Sequence, residues 1–449
     1  MDIIKKKIDV NTLKLTANVK EGDYVSVVEN ALLDYRKKMT LPGFRAGKVP
    51  MSLVKKKYEL AIRVEEINKL LSSSIQTYIS DQKMSILGNP LPIETKIDFL
   101  NETDYQFEFE IGLQPKIDLS SAEKLKSDYW LIKPEKKEIE EYTLSLQKRY
   151  GSVQSFDKID QGDMLSVVLK ELESDNNPKV DGVVSETSIL VDKIEDKKIR
   201  NQFFKLKKSE TIILDLHKTF VNEADVLSML KISKEKFNQI NSSFSCTIKD
   251  ITRLIPAKIN SELFKKVYPD QVIKNLKEFQ AAIKTELIDR YVIESDRKFF
   301  NDSSQIFLDK IKIDFPEKFL KKWLKTNIKK QFTEEEFEKE YQNYLKYLSW
   351  QLIENTICIE NNIKVTDDKL KDFAKKNVLQ QMKNYGSVNL GDKEIDGIVT
   401  NILKNEKEAE KMMNEVILIE LVAYFKSKMK VSKKSTTLNE FIKLANQQV

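Results

Sequence analysis

Residues 41–50 read LPGFRAGKVP, and the rest of the chain is best interpreted outward from this stretch. Pro42 and Pro50 restrict the backbone at its two ends, whereas Gly43 and Gly47 free the backbone between them. Proline and glycine at these positions disfavour a continuous helix and favour a turn. We therefore expect a formed loop between two regular elements.

The loop and its flanks are strongly cationic. Between Arg36 and Arg63 there are nine basic residues and one acid, a local charge of +8, although the whole chain carries only +6. The basic residues are Arg36, Lys37, Lys38, Arg45, Lys48, Lys55, Lys56, Lys57 and Arg63. An aromatic side chain, Phe44, among these charges favours a loop that contacts another molecule. The alternative is a tight turn between helices with ordinary solvated lysines.

The glycine spacing does not fit a nucleotide-binding loop. A P-loop has four residues between its glycines and Ser or Thr after the lysine. Here three residues separate Gly43 from Gly47, and Val49 follows Lys48. The sequence also lacks a Rossmann fingerprint, a Gly-x-Ser-x-Gly motif and zinc-ligand spacing. We therefore expect no cofactor, no metal and no use of ATP.

The stretch resembles the signature loop of the bacterial trigger factor family, chaperones that dock at the exit of the ribosomal tunnel. The family's pattern is Gly-Phe-Arg-x-Gly-Lys-x-Pro, and it is matched by Gly43, Phe44, Arg45, Gly47, Lys48 and Pro50. The resemblance implies that Phe44, Arg45 and Lys48 contact a protein of the large ribosomal subunit and neighbouring ribosomal RNA near the tunnel exit. It further implies nascent or unfolded polypeptides as clients, and a homodimer away from the ribosome.

Length and composition agree with a multidomain intracellular protein. The 449 residues suffice for about three domains, and 33% charged residues with only 11 glycines are typical of a helix-rich chain. The chain has only two cysteines, Cys246 and Cys358, which favours a reducing compartment. It has a single histidine, His217, which excludes a multi-histidine metal site. No apolar run is long enough for a signal peptide or a membrane span, so we expect a cytoplasmic protein with no membrane partner.

Residues 1–112 are expected to form an α+β ribosome-binding domain. Alternating apolar residues predict an N-terminal strand and, later, a hairpin of residues 93–99 and 105–111. Three helices are expected between them, with the loop after the first. The second helix is predicted to end near Tyr58, and Gly88-Asn89-Pro90 is predicted to end the third.

Residues 113–150 are expected to be an extended linker followed by a long helix. Residues 151–254 change to short strands and look like the family's FKBP-type prolyl isomerase domain, here inserted before the helical remainder. The resemblance suggests Phe203, Phe220 and Phe244 as walls of the isomerase pocket.

The motifs around these phenylalanines depart from the family pattern. Prolyl isomerisation needs no acid, base or metal, because its barrier of about 18–20 kcal/mol is the loss of amide resonance. A dry aromatic pocket favours the twisted amide. However, Gln202 replaces the glycine before Phe203, and the segment after Phe220 lacks the family's proline and tyrosine. We expect a retained fold with poor or absent isomerase activity. The alternative is that the phenylalanines only hold a small β-domain together.

Residues 255–449 are expected to be a mostly α-helical chaperone domain, with long helices over 334–362 and 398–430. Apolar residues at helical spacing should pack between helices: Phe337, Tyr341, Tyr344, Leu348, Ile417, Leu421 and Phe425. The alternative for any one of them is the wall of a cavity. Together with the helix over 135–150, this region is expected to be the main chaperone module.

The expected fold class is thus α+β and multidomain, with a ribosome-binding domain, an inserted FKBP-like β-rich domain and a helical chaperone domain. Other classes of function stay open. One is an RNA-binding protein that uses the basic patch at residues 36–63, although Phe44 is alone in the loop and base-stacking grooves use several aromatics. Others are a folding catalyst in its own right and a helical scaffold without chaperone activity.

Overall fold

The computed structural model describes residues 1–40, 42, 44, 48–220, 222–240, 243–328, 332–385 and 390–446. Gly43, Arg45 and Gly47 of the predicted loop lie outside the described residues, as does Gly386, a predicted helix end. The chain divides into two compact units. One comprises Met1–Tyr129 and Asp296–Lys433, and the other comprises Trp130–Ser295 and Lys434–Val449.

The helices are α1 Glu21–Lys38, α2 Met51–Asp81, α3 Lys136–Arg149, α4 Lys197–Phe203, α5 Leu216–Thr219, α6 Glu223–Leu230, α7 Lys234–Phe237, α8 Ser261–Val267, α9 Leu276–Lys310, α10 Glu317–Asn327, α11 Glu334–Glu360, α12 Asp367–Tyr385, α13 Asp392–Lys404, α14 Glu406–Lys428 and α15 Leu438–Asn446. The strands are β1 Asp2–Lys7, β2 Thr12–Val19, β3 Ile86–Ile93, β4 Tyr105–Leu113, β5 Lys126–Ile132, β6 Ser152–Ser155, β7 Met164–Glu171, β8 Val184–Leu190, β9 Thr211–Asp215, β10 Ser243–Ile255 and β11 Lys430–Thr436.

In the first unit, a four-stranded antiparallel sheet in the order β1-β2-β4-β3 packs against α1 and α2. Tyr24, Val28 and Leu32 recur every four residues and form the buried stripe of α1. Burying an aliphatic side chain such as Leu32 contributes about 1.5–3 kcal/mol. This packing fixes the helix ends between which the loop lies.

The prediction of two helices after the loop is wrong. Met51–Asp81 is a single helix of 31 residues, and it continues through Tyr58. No glycine or proline occurs within it, and its buried stripe of Ile67, Leu71 and Ile75 packs with the sheet and α1. Because the apolar stripe continues and no residue breaks the hydrogen bonding, the helix does not end at Tyr58.

The position of the first hairpin strand is also corrected. It is β3, residues 86–93 rather than 93–99, and the predicted helix stop Gly88-Asn89-Pro90 lies inside it. The pairing with β4 shifts register between Leu87 and Leu91, and Gly88 has φ +68°. A Cβ at Gly88 would lie 2.5 Å from Cε2 of Trp323 on α10. The strand therefore bulges where a distant helix packs against it.

The helical part of the first unit has an aromatic core, as the helical spacing predicted. Phe337, Tyr341, Leu348, Leu421 and Phe425 are all buried. Tyr344 and Ile417, from the same predicted set, are half-buried against these clusters. The apolar faces of the long helices therefore mainly hold the helices together.

Three further predictions need correction. The run over 398–430 is two helices, because Asn405 interrupts it and its side chain accepts a hydrogen bond from the Lys407 amide at 3.1 Å, which begins α14. The linker at 113–133 contains β5, and the helical C-terminal region contains β11. These two strands pair with each other, although about 300 residues separate them. Such long-range pairing leaves no local sequence signal.

In the second unit, β10 is the central strand of the five-stranded sheet. It pairs antiparallel with β6, β7 and β9, and β7 pairs with β8. The helix after the linker is α3, close to its predicted position. His217 lies in α5 and is exposed, with its ring 4.6 Å from the ring of Phe237. The sequence did not predict α6.

Candidate functional site

Both ends of the loop between α1 and α2 are anchored in the core. Met39 is 8% exposed and Val49 is fully buried. Arg36 donates a hydrogen bond from Nε to the Val49 carbonyl over 2.7 Å. Pro50 precedes the first residue of α2, with φ −56° and ψ 135°. The fixed φ of proline suits the start of a helix, so the loop leaves and re-enters the domain at defined points.

Side chains between these anchors face solvent. Phe44 is 41% exposed, and Lys48 and Pro50 are exposed as well. A large aromatic ring in water forgoes the free energy of burial, so an exposed ring on an anchored loop is available to bury its surface against another molecule. The structure thus places Phe44 and Lys48 at the surface, as predicted from the motif.

Part of the basic patch stabilises the domain itself. Besides Arg36, the Arg63 guanidinium donates to Glu59 at 3.1 Å and to the Phe99 carbonyl at 3.3 Å. Lys37 lies 2.8 Å from Asp34. The local charge of +8 was counted over residues 36–63, and this count leaves out acids that lie earlier in α1, such as Asp34. Because these acids neutralise part of the patch, the charge available to a partner is smaller than +8. The exposed lysines include Lys38, Lys48, Lys56 and Lys57.

A second aromatic surface adjoins the loop. The rings of Tyr35 on α1 and Tyr58 on α2 lie 4.8 Å apart, and Lys57 Nζ lies 5.4 Å from the Tyr58 ring centroid. Tyr35 is 40% exposed, and Leu53 on the first turn of α2 is 45% exposed. Tyr35 follows Leu32 by three residues, a spacing that would suit the buried stripe of α1. The buried stripe instead consists of Tyr24, Val28 and Leu32, and Tyr35 lies at its edge and faces solvent.

Phe203, Phe220 and Phe244 come together in the FKBP-like region, but as core. They are 0%, 5% and 0% exposed and belong to one hydrophobic cluster. Cys246 is buried in the same cluster, and burial raises the pKa of its thiol to about 12. With their rings buried, the three phenylalanines expose little aromatic surface to a prolyl peptide.

The buried carboxylates of this region are engaged in structural pairs. Asp163, fully buried, accepts from Arg253 Nε at 2.6 Å and Nη2 at 2.9 Å, and the guanidinium lies 4.4 Å from the Phe156 ring centroid. Glu171 is 2% exposed, accepts from the Val183 amide at 3.0 Å and lies 2.6 Å from Lys179 Nζ. The charges of both carboxylates are thus compensated within the domain.

The helical region offers apolar surface to solvent. Charged side chains of α12 and α13 surround an open cavity of about 670 Å³ lined also by Val399 and Leu403. Elsewhere, Tyr347 and Ile359 of α11 are 61% and 79% exposed, and Ile419 of α14 is 52% exposed. The described surface of this region thus carries scattered apolar side chains among charged ones.

The part of the chain that the structure describes offers neither a metal cluster nor a membrane span. There, no group of three or more His, Cys, Asp and Glu side chains is arranged to hold a metal ion. Within the same ranges, no helix combines the length and apolar character needed to cross a membrane.

Three family models match successive parts of the chain. They are described as bacterial trigger factor protein over residues 1–146, probable trigger factor FKBP-like domain over 153–256, and probable trigger factor C-terminal domain over 295–445. The chain belongs to the trigger factor family. The order of the three matches also confirms the α+β multidomain fold class.

Relatives are similar mainly in the part that carries the loop. The trigger factors of Rickettsia rickettsii (strain Sheila Smith) and Rickettsia prowazekii (strain Madrid E) are 36% and 35% identical over 146 residues. In each case the match covers 31% of this chain and 32% of the relative, so the chain matches about a third of those proteins' length.

A solved trigger factor structure shares the fold. It is described as "Promiscuous Substrate Recognition in Folding and Assembly Activities of the Trigger Factor Chaperone". The match has a TM-score of 0.55 and 13% identity, and it covers 95% of this chain and 99% of that one.

Proposed function

We propose that this trigger factor is a ribosome-associated chaperone. It docks near the tunnel exit of the large subunit and shelters nascent or unfolded polypeptides in the cytoplasm without ATP. The observation that carries the proposal is the 41% exposure of Phe44 on a loop whose ends, Met39 and Val49, are buried. A partner is needed to bury that ring.

Each motif residue has a distinct role in docking. Phe44 inserts between apolar side chains of a ribosomal protein. Arg45 and Lys48 pair with phosphates of the neighbouring ribosomal RNA, which makes binding sensitive to salt. Gly43 and Gly47 allow close approach of the backbone, and Pro50 fixes the direction in which the chain enters α2.

Four parts of the chain divide the work. Residues 1–112 dock, 113–150 connect, 151–254 form the FKBP-like domain and 255–449 form the chaperone domain. Exposed apolar side chains on α11 and α14 and the cavity between α12 and α13 support the last assignment. Away from the ribosome, two copies associate and cover part of this surface.

The FKBP-like domain keeps its fold but is a poor peptidyl-prolyl isomerase or none. The burial of Phe203, Phe220 and Phe244 to 5% exposure or less supports this proposal. Each tenfold loss of rate corresponds to about 1.4 kcal/mol of barrier, so a pocket without accessible walls loses several decades.

Ribosome co-sedimentation of a loop variant tests the docking proposal. Phe44, Arg45 and Lys48 are replaced together by alanine, and association is measured at two salt concentrations beside binding to naked RNA. The matched control replaces Leu53, Lys56 and Lys57, one apolar and two cationic residues that are exposed, and leaves the motif intact. The loop variant should lose association while the control retains it. Equal losses in both variants would favour general electrostatic binding to RNA instead.

A further inference from the structure

A short helical segment follows Phe220 directly. There the family pattern has a proline and a tyrosine, whereas residues 222–240 of this chain contain α6 and α7 before β10 begins. Asn222 caps α6 by accepting from the Ala224 amide at 3.0 Å, and Ser233 caps α7. Between them, Lys231 turns the chain with φ +57°.

This segment packs into the hydrophobic cluster that contains the three phenylalanines of the predicted pocket. Val226, Leu230 and Phe237 are 1%, 2% and 4% exposed and belong to the same hydrophobic cluster as those rings. Further apolar side chains of the segment are half-buried against the cluster: Leu227, Met229, Ile232 and Ile240. The segment therefore supplies the apolar surface that a bound peptide would supply in an open pocket.

The segment is held by burial and by a few polar ties. Ser185 of β8 donates a hydrogen bond from Oγ to the Met229 carbonyl over 2.6 Å. Lys234 lies 3.2 Å from Glu223, which joins α7 to α6 at the surface. Helices of eight and four residues are unstable alone, so α6 and α7 persist because their apolar faces are covered. An apolar ligand that covers the same cluster can compete with them.

We propose that residues 222–240 act as an intramolecular plug over Phe203, Phe220 and Phe244, so that the FKBP-like domain binds an apolar, proline-containing peptide segment only when the plug is displaced. The inference rests on the proposed weakness of the isomerase and gives it a cause: the site is occupied by the chain itself. Apparent affinity for the peptide is then reduced by the fraction of molecules in which the plug is open.

The test loosens the plug without touching its apolar side chains. In the full chain, Ser185→Ala removes the bond to Met229, and Glu223→Lys breaks the pair with Lys234. The matched control is Ser155→Ala with Lys208→Ala. It removes a serine hydroxyl at 2.7 Å and an ion pair at 2.9 Å, both to Asp250, elsewhere in the same domain. Each protein is titrated with a fluorescent proline-containing apolar peptide and assayed for prolyl isomerisation.

The plug variant should bind the peptide about fivefold more tightly than the parent chain, and the control should not. A second variant, in which a short Gly-Ser linker replaces residues 222–240, should bind more tightly still if it folds. Unchanged peptide binding in a folded Ser185→Ala, Glu223→Lys protein overturns the plug. Fast isomerisation by the parent chain contradicts both the plug and the proposed weakness of the isomerase, whereas ribosome docking is unaffected by either result.

Discussion

The Arg36 guanidinium donates to the Val49 carbonyl over 2.7 Å and so joins the last turn of α1 to the residue before Pro50. One cation of the basic patch thus stabilises the loop between α1 and α2 itself. This bond and the burial of Met39 and Val49 hold the ends of the loop, whereas Phe44 and Lys48 between them are exposed. Mutations can therefore change the stability of the loop and its binding separately.

Replacing Arg36 with Met should lower the free energy of unfolding by about 1–2 kcal/mol, because a charged hydrogen bond is lost while the aliphatic stem is kept. Urea unfolding followed by circular dichroism measures the change. Lys38→Met, two residues on and exposed, should leave the midpoint unchanged. Equal effects of the two substitutions would show that this hydrogen bond contributes nothing.

Lys48→Ala should weaken ribosome binding and also reduce its dependence on salt. Losing one phosphate contact lowers the slope of log affinity against log salt by about 1. Phe44→Ala should weaken binding with the slope unchanged, because its contact is apolar. Binding measured at four or more salt concentrations separates the two. If log affinity falls with log salt equally steeply for Lys48→Ala and the parent chain, Lys48 does not contact a phosphate.

Gly112→Ala should destabilise the first unit by about 1–3 kcal/mol, the usual cost of overpacking. A Cβ at Gly112 would lie 2.4 Å from Cδ1 of Phe319 on α10. Phe319→Leu should recover part of the loss when combined with it. Gly22→Ala is the control: nothing lies within 4 Å of that position, and alanine suits a helix better than glycine.

Sequence reasoning succeeded where the signal was local. The loop follows from Pro42 and Pro50, and the buried faces of α11 and α14 follow from helical spacing. It failed where a distant element decides the outcome. β3 shifts register around Gly88, where Trp323 of a distant helix packs, and β5 pairs with β11 some 300 residues away.

The same distinction explains the candidate sites. Pattern alone placed Phe44 and Lys48 at the surface, because a loop between anchored helices has nowhere to bury them. The grouping of Phe203, Phe220 and Phe244 came from the family resemblance. The sequence could not indicate how much of each ring is accessible, because that depends on the packing of the whole cluster to which the rings belong.

Stability of the second unit should fall at alkaline pH. Tyr142 and Tyr268 donate to Glu286 over 2.8 and 2.6 Å, and Arg290 donates to Glu286 and to the Tyr142 hydroxyl. Burial and then the bond to Glu286 raise the pKa of Tyr142 to about 12, and the pKa of Tyr268 is raised by the same causes. The folded protein holds these protons more tightly, so this contribution is complete below about pH 10 and falls as the pH rises. The part due to Tyr142 is lost as the pH passes about 12, and the part due to Tyr268 is lost at higher pH.

Urea midpoints measured across that range should fall with pH, and tyrosinate absorbance should rise later in the folded protein than in the unfolded one. Glu286→Ala removes the shared acceptor, so it should lower stability near neutral pH and shrink the alkaline loss. If Glu286→Ala loses as much stability at alkaline pH as the parent chain does, the loss comes from other tyrosines.

The Cys246 thiol should resist alkylation in the folded protein. It is fully buried, and burial raises its pKa to about 12, so only about one molecule in ten thousand carries the thiolate at about pH 8. Mass spectrometry after brief treatment with iodoacetamide should find Cys246 unmodified, and unfolding in urea should make it react. Rapid modification without denaturant would mean that this core opens readily.

α2 extends for 31 residues without a break, which is about 46 Å at 1.5 Å per residue. One end begins at the docking loop. Just past the other end, the Gln82 side chain accepts a hydrogen bond from Lys5 of the edge strand β1 at 3.3 Å. A stiff rod with these attachments works as a lever. We expect a force applied at Phe44 to tilt this helix as a whole, so that the displacement reaches the edge strand β1 at its other end.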